Sequence, residues 1–162
     1  MRYFIDGYNF LFKLYEEVDP LREKRDEVIS YLKDRLLSLG LHITIIFDSH
    51  HTIGAFIPTR LRKEELEIIY TPSDQTADQY IIELLESSKN NHIKTIVTSD
   101  RFLTKQAKIH GAQSLTISAF LDMILKKEKK ARSAEKKQEQ ECSREFERLL
   151  EAFEKKLKED LF

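Results

Sequence analysis

The chain has 162 residues, of which 41% are hydrophobic, 34% charged and 10% aromatic, which suits one folded domain with a real core and excludes a disordered polyelectrolyte. Its 27 Lys and Arg against 28 Asp and Glu leave a net charge of -1, so bulk charge gives no support to a nucleic-acid partner and any basic surface must come from local clustering. A single cysteine, Cys142, excludes an internal disulfide and a cysteine-rich zinc site, and no apolar run approaches the ~18 residues needed to span a bilayer.

Taken in chain order, short apolar runs alternate with amphipathic stretches. The opening MRYFIDGYNF lacks the pattern of a signal peptide, so a cytoplasmic protein with no membrane partner is expected. Arg2 to Ile5 reads as a short strand that ends in Asp6-Gly7. Glu23 to Leu39 carries Val28, Leu32, Leu36 and Leu39 at helical spacing and stops at Gly40, a natural C-cap. His42 to Phe47 is a strand ending in Asp48. The stretch from Asp48 to Leu66 has no clear period and reads as a loop with a short helical turn near Arg60 to Glu64. Leu66 to Tyr70 is a strand stopped by Thr71-Pro72, Thr76 to Ser88 a helix, and Ile93 to Val97 a strand ending in Thr98-Ser99-Asp100. Arg101 to His110 is a helix closed by Gly111, and Ser114 to Ile117 a last short strand.

This alternation predicts an α/β fold: a mostly parallel sheet with helices on both faces. After Ser118 the character changes to almost pure helix former, with one narrow apolar stripe through Phe146, Leu149, Leu150, Phe153, Leu157 and Leu161. Lys126 to Lys137 holds seven basic residues against two acidic, whereas Gln138 to Glu154 holds six acidic against two basic. Residues 1–125 are therefore expected to form the α/β domain and 126–162 a charged helical C-terminal extension, which either folds back as a solvated helix or meets a partner; the oligomeric state stays open.

Three predicted strands end directly in an aspartate: Asp6, Asp48 and Asp100. In an open parallel sheet, ligand sites lie beyond the carboxyl ends of the strands where strand order reverses. A fourth, Asp78, opens the helix after a strand and so starts at the same edge. Carboxylates brought together repel unless a cation neutralises them. Hard oxygen ligands without a Cys or His cluster point to Mg2+ or Mn2+ rather than zinc. Each aspartate also has a plainer reading, as a helix cap or turn residue.

The runs IDGYN (Ile5 to Asn9), FDSH (Phe47 to His50), YTPSDQTAD (Tyr70 to Asp78) and VTSD (Val97 to Asp100), in that order and spacing, resemble the NYN-domain proteins of the YacP type, bacterial members of the PIN-like nuclease superfamily. The resemblance extends through Ser118 to Leu121 into the tail. It implies a PIN-like three-layer fold and a metal-binding acidic centre of Asp6, Asp78 and Asp100 with Asp48 as a further member. It also implies that Asn9 contacts a phosphate or orients an acidic ligand. Characterised members are Mg2+-dependent endoribonucleases, and one branch associates with ribosomes and cleaves mRNA in the A site; RNA, and the ribosome, are the partners this implies. One departure is Gln79, where members often carry an acidic residue after the TAD aspartate.

The expected chemistry is metal-assisted hydrolysis of an RNA phosphodiester, leaving 5′-phosphate and 3′-hydroxyl ends. Nothing in the sequence suggests a Ser-His-Asp or Cys-His nucleophile. Candidates to hold RNA phosphates are Lys13, Arg60, Arg62, Lys63, Arg101 and Lys105. Tyr8 is a candidate to stack on bases, and Phe10 fits the core better. His50 and His51 read as loop residues, Thr98 and Ser99 as turn residues that satisfy backbone groups, and the basic stretch Lys126 to Lys137 as the candidate for docking on ribosomal RNA. The alternative function is a catalytically decayed PIN-like module that binds RNA or the ribosome. Aspartate-nucleophile phosphatases and receiver domains fit poorly, because Tyr8 stands where the first class needs a second aspartate.

Overall fold

The computed structural model describes residues 1–16, 20–49 and 58–159, with the side chains of 36–38, 63, 139, 140, 142, 145–147 and 149–159 outside that description. The expectations for His50 and His51, for the side chains of Lys63 and Cys142, and for the apolar stripe from Phe146 to Leu161 therefore lie outside the described residues. The elements run β1 (Arg2–Asp6), α1 (Gly7–Leu14), α2 (Leu21–Leu39), β2 (His42–Phe47), β3 (Thr59–Lys63), β4 (Leu66–Tyr70), α3 (Ala77–Glu86), a 3-10 turn (Asn91–Ile93), β5 (Lys94–Val97), α4 (Arg101–Ile109), β6 (Gln113–Leu115) and α5 (Ile117–Glu159).

The strands form one sheet in the order β3-β4-β2-β1-β5-β6. All neighbours pair in parallel except β3, which runs antiparallel to β4. Side-chain alternation divides the core between the two faces. Tyr3, Ile5, Ile43, Ile45, Phe47, Ile68 and Val97 pack against Phe10 and Leu11 of α1, Val28 and Leu32 of α2, and Ile117, Phe120 and Ile124 of α5. Phe4, Ile46, Ile69 and Ile96 pack on the other face against Ala77, Tyr80, Ile81 and Leu85 of α3 and Leu103 and Ala107 of α4. The result is the three-layer α/β sandwich expected from the β–α alternation.

Two elements differ from the sequence expectation. The stretch after Asp6 forms α1, although Tyr8, Phe10 and Phe12 favour strand by propensity. Tertiary packing decides it: Phe10 and Leu11 are fully buried on one side of a helix capped by Asp6. Gly7 permits this helix to sit so close, because a Cβ there would stand 2.4 Å from ring atoms of Phe47 and 2.9 Å from the Ile46 carbonyl oxygen. The second difference is β3, expected as loop and turn. Its alternating TRLRK pairs with β4 from Thr59 opposite Tyr70 to Lys63 opposite Leu66, and Glu64 takes a positive φ of 56° in the tight connection.

The chain divides into two compact units, Met1–Ile124 and Leu125–Phe162. The first holds the whole sheet. The second is the continuation of α5, where Lys126, Lys127, Lys129, Lys130, Arg132, Lys136 and Lys137 are all exposed. Among the described residues, no helix is long and apolar enough to cross a membrane.

Candidate functional site

Strand β1 is the pivot of the sheet. From it the chain moves outward to β2 and β4 on one side, then crosses back to β5 and β6 on the other. The crevice at the carboxyl end of β1 is thus the topological switch point, where α/β sheets bind ligands. Register levels the acidic residues there. Asp6 pairs with Ile46, two residues before Asp48, and Ile5 pairs with Val97, three before Asp100. Asp6 has the parity of Phe4 and so faces the α3 side of the sheet, where Asp78 lies in the first turn of α3.

Each strand-end carboxylate also caps a helix. Asp6 Oδ1 accepts from the Asn9 backbone N–H at 3.1 Å and Asp100 Oδ1 from that of Leu103 at 2.8 Å. Asp48 Oδ1 accepts from the backbone N–H of Ala77, the first residue of α3. The capping and ligand readings of these aspartates are compatible, because each cap contact uses Oδ1 and a carboxylate has two oxygens. Three helix N-termini, of α1, α3 and α4, consequently converge on the crevice, and their partial positive charge favours anions there.

Asp78 differs from the others. Its Oδ1 is buried and meets no hydrogen-bond donor among the described residues. Burial raises its pKa, the negative charges of Asp100 and Asp48 raise it further, and its hydrogen bond with Asp6 opposes both. The Asp6 carboxyl is pushed up to about 7, chiefly by burial and then by the charges of Asp78 and Asp48, against the Asn9 N–H that favours ionisation. Burial and acidic neighbours thus hold both carboxyls against ionisation. Among the described residues no three acidic, imidazole or thiol side chains are already gathered around a point that could hold an ion. The donor set is nonetheless chemically right for a hard divalent cation: oxygen ligands, one orphaned carboxylate oxygen, and excess negative charge held out of water. Binding one requires these carboxylates to draw together.

Other residues brace the crevice. Asn9 Oδ1 accepts from the Ser99 N–H at 3.2 Å, tying α1 to the loop that carries Asp100. Thr98 Oγ1 accepts from the Asp100 N–H at 3.0 Å. Gln79 closes a capping box with Thr76: its Oε1 accepts from the Thr76 N–H at 3.0 Å and its N–H donates to Thr76 Oγ1 at 3.2 Å. An acidic residue at this position would satisfy the same box, so Gln79 removes no ligand that faces the crevice. Thr71, which the sequence did not single out, is fully buried; its hydroxyl donates to the Gln75 carbonyl at 2.7 Å and accepts from the Ser49 N–H at 3.4 Å. Only the fold, by setting β2 beside β4, reveals that contact.

Of the basic candidates, Arg101 and Lys105 are exposed on the first turns of α4, beside Asp100. Lys13 is exposed in the last turn of α1. Arg60 and Arg62 are not brought to the crevice. They line a cleft of about 260 Å3 with Arg2 and His42, the first residues of β1 and β2, at the opposite end of the sheet. Both sit on the edge strand β3, three strands from β1: Arg60 is opposite Ile69, at the level of Asp6, and Arg62 is opposite Glu67. Arg60 also donates to the Tyr80 hydroxyl at 2.7 Å. Phe10 is a core residue, fully buried, and Tyr8 is half-buried beside the crevice.

A sheet that reverses direction above a cluster of strand-end aspartates is the design of the PIN-like α/β domains. The chain belongs to the YacP-like NYN domain family, whose model matches residues 3–161. That family is nuclease-like, implies an RNA-related function and generally uses divalent metals. Two crystal structures of Rae1 (YacP) from Bacillus subtilis are similar in fold. One matches with a TM-score of 0.63 and 22% identity over 99% of this chain and 97% of that one. The other, a W164L mutant, matches with a TM-score of 0.63 and 21% identity over 80% and 77%. No curated protein matches the sequence.

Proposed function

We propose that this protein is a divalent-metal-dependent endoribonuclease, with Mg2+ or Mn2+ held by Asp6, Asp78 and Asp100 and supported by Asp48. The observation that carries the reading is the gathering of strand-end aspartates at the sheet's switch point beside Asp78, whose buried Oδ1 meets no hydrogen-bond donor among the described residues. A fold gains nothing from burying such repulsion, and a cation relieves it. When bound, the metal would supply the positive charge that polarises the scissile phosphate and activates a water. Asp6 and Asp78 would serve as ligands in their ionised form. Asp48, anchored to the start of α3, orients that helix and with it Asp78. Asn9 holds the loop of Asp100 at a fixed distance from α1. Arg101 and Lys105 take the phosphates on the α4 side, and hydrolysis leaves 5′-phosphate and 3′-hydroxyl ends. The exposed basic turns from Lys126 to Lys137 suit docking on ribosomal RNA, which makes mRNA at the ribosome the proposed substrate in a cytoplasmic setting.

The test incubates the protein with structured and unstructured RNA in Mg2+, Mn2+ or EDTA, beside an Asp6→Asn, Asp78→Asn double variant. Cleavage is expected only with metal and only by the unaltered chain; equal cutting by the double variant would sink the acidic-centre reading. The alternative of a decayed binding module gets no support from Gln79, whose side chain is occupied in the capping box. Tight RNA binding without any metal-dependent cutting would favour it.

A further inference from the structure

The wall of the crevice built from α1, α2 and the ends of β2 and β4 carries rings and a cation that the hydrolysis does not use. Tyr8 and Phe12 lie one turn apart on α1 and stack with centroids 6.3 Å apart at 28°. Tyr8 meets the edge of Phe47 at 5.3 Å, and Phe47 stacks on Tyr70 at 5.9 Å and 23°. Arg25 of α2 covers this group, its guanidinium 5.1 Å from the Tyr70 ring and 5.9 Å from that of Phe47. Its Nε makes no hydrogen bond among the described residues, and Asp26 Oδ1 stands 3.8 Å from it.

The ladder runs from solvent into the core next to the strand ends. Phe12, at its outer end, is 62% exposed, Tyr8 is half-buried, Phe47 is fully buried and immediately precedes Asp48, and the half-buried Tyr70 closes the series. The charges of Arg25 and Asp48 both reach the Tyr8 hydroxyl, with opposite effects. Single exposed aromatics are ordinary on protein surfaces. This one differs because its ring continues a stack that reaches Phe47, the residue before Asp48, and because an arginine accompanies it. Ring faces beside a guanidinium are the chemistry that holds unpaired nucleotides, since every base offers a flat face and every link a phosphate. A duplex keeps its base faces covered and offers them nothing to stack on.

We infer that Phe12 and Tyr8 form a stacking platform for unpaired nucleotides of single-stranded RNA, with Arg25 positioning the rings and attracting the phosphate that enters the acidic crevice. This rests on the reading of the crevice as acting on RNA, and it adds a strand preference that the carboxylates alone do not impose.

The test separates the two ideas by measuring binding without metal. Fluorescence anisotropy in EDTA follows a labelled unstructured RNA of about twelve nucleotides, and the same strand annealed to its complement. Phe12→Ala is expected to weaken single-strand binding about tenfold and to leave duplex binding within about twofold. Its exposure makes misfolding an unsuitable explanation for such a loss. Phe12→Trp should keep the affinity and show quenched emission on adding the single strand. Arg25→Gln should lower the slope of log affinity against log salt by about 0.7 for the single strand. Single-strand affinity within twofold of the unaltered chain for both Phe12→Ala and Tyr8→Leu overturns the platform, as does absence of any single-strand binding. Cutting by the unaltered chain in Mg2+ with KM unchanged in Phe12→Ala removes the platform and leaves the nuclease reading standing. Binding lost in Phe12→Ala, with no cutting in either metal, does the reverse.

Discussion

The two ends of the parallel sheet are both polar, and they are polar in different ways. At the strand starts, Arg2, His42, Arg60 and Arg62 face Glu64, Glu65 and Glu67 across an open cleft. There charges find partners: His42 Nδ1 meets Glu65, and Arg60 lies 4.0 Å from Glu67. At the strand ends, four aspartates meet mainly backbone amides and one another, and burial with their mutual charge raises the pKa of two of them. Balanced, solvated charge is what a surface does to stay soluble, and it contributes little to stability. Unbalanced charge held away from water persists only if something else requires it. Polarity alone therefore does not mark the site; carboxylates held close enough to raise one another's pKa do.

The largest expected contrast is in turnover. Asp6→Asn with Asp78→Asn should lower metal-dependent RNA cleavage by at least about 100-fold, while Arg60→Gln with Arg62→Gln should change the rate less than about threefold; single-turnover kinetics on one RNA decides it. A slow Arg60, Arg62 variant would break the contrast by giving the cleft a part in catalysis.

The next effect is on stability and is tied to pH. The folded pKa of Asp6, about 7, lies well above that of an ordinary aspartate, so near neutral pH the folded state holds a proton that the unfolded chain has lost. Stability from this group is fully present below about 4 and disappears as pH rises through about 7. Metal-free protein should accordingly lose on the order of a few kcal/mol between pH 5 and 8. Asp6→Asn should flatten that loss, and millimolar Mg2+ should restore stability at pH 8 in the unaltered chain. Thermal melts across pH with and without EDTA provide the check, and a profile in which stability rises from pH 5 to 8 without metal would contradict it.

Close approach gives a third effect. Gly7→Ala places a methyl 2.4 Å from the Phe47 ring, and should cost about 2 to 3 kcal/mol in urea unfolding by forcing α1 off β2. Because Asp6 caps that helix, cleavage should fall with it. The smallest effect concerns Gln79. Gln79→Glu keeps the capping box and should leave stability within about 0.5 kcal/mol, whereas Gln79→Ala should lose about 1 kcal/mol. A tenfold gain in cleavage by Gln79→Glu would show that position 79 does reach the metal.

Much of this was legible before any coordinates. Two apolar runs, HITIIF and KTIV, cannot form anything but buried strands in a chain of this length, and each is followed within three residues by an aspartate. Periodicity is local, so the strands, the long helices and the acid after each strand follow from neighbours in sequence. Three things do not. Helix α1 and strand β3 were missed because short segments of eight and five residues take their conformation from the surfaces that cover them, Phe47 and β4, rather than from propensity. For the same reason no local pattern reveals that Arg60 and Arg62 lie on the edge strand, three strands from β1. The role of Gln79 depended on where α3 begins, which a cap decides to the residue.

What the sequence by itself determined, then, is that aspartates terminate strands. The tertiary structure alone decided that β1 lies between β2 and β5, which brings Asp6 level with Asp48 and Asp100 and turns it toward Asp78. Strand order is set by how six short elements bury two apolar faces at once, a condition on the whole chain that no local window contains. Proximity then does the rest: carboxylates far apart in sequence raise one another's pKa only once the sheet has placed them in one crevice.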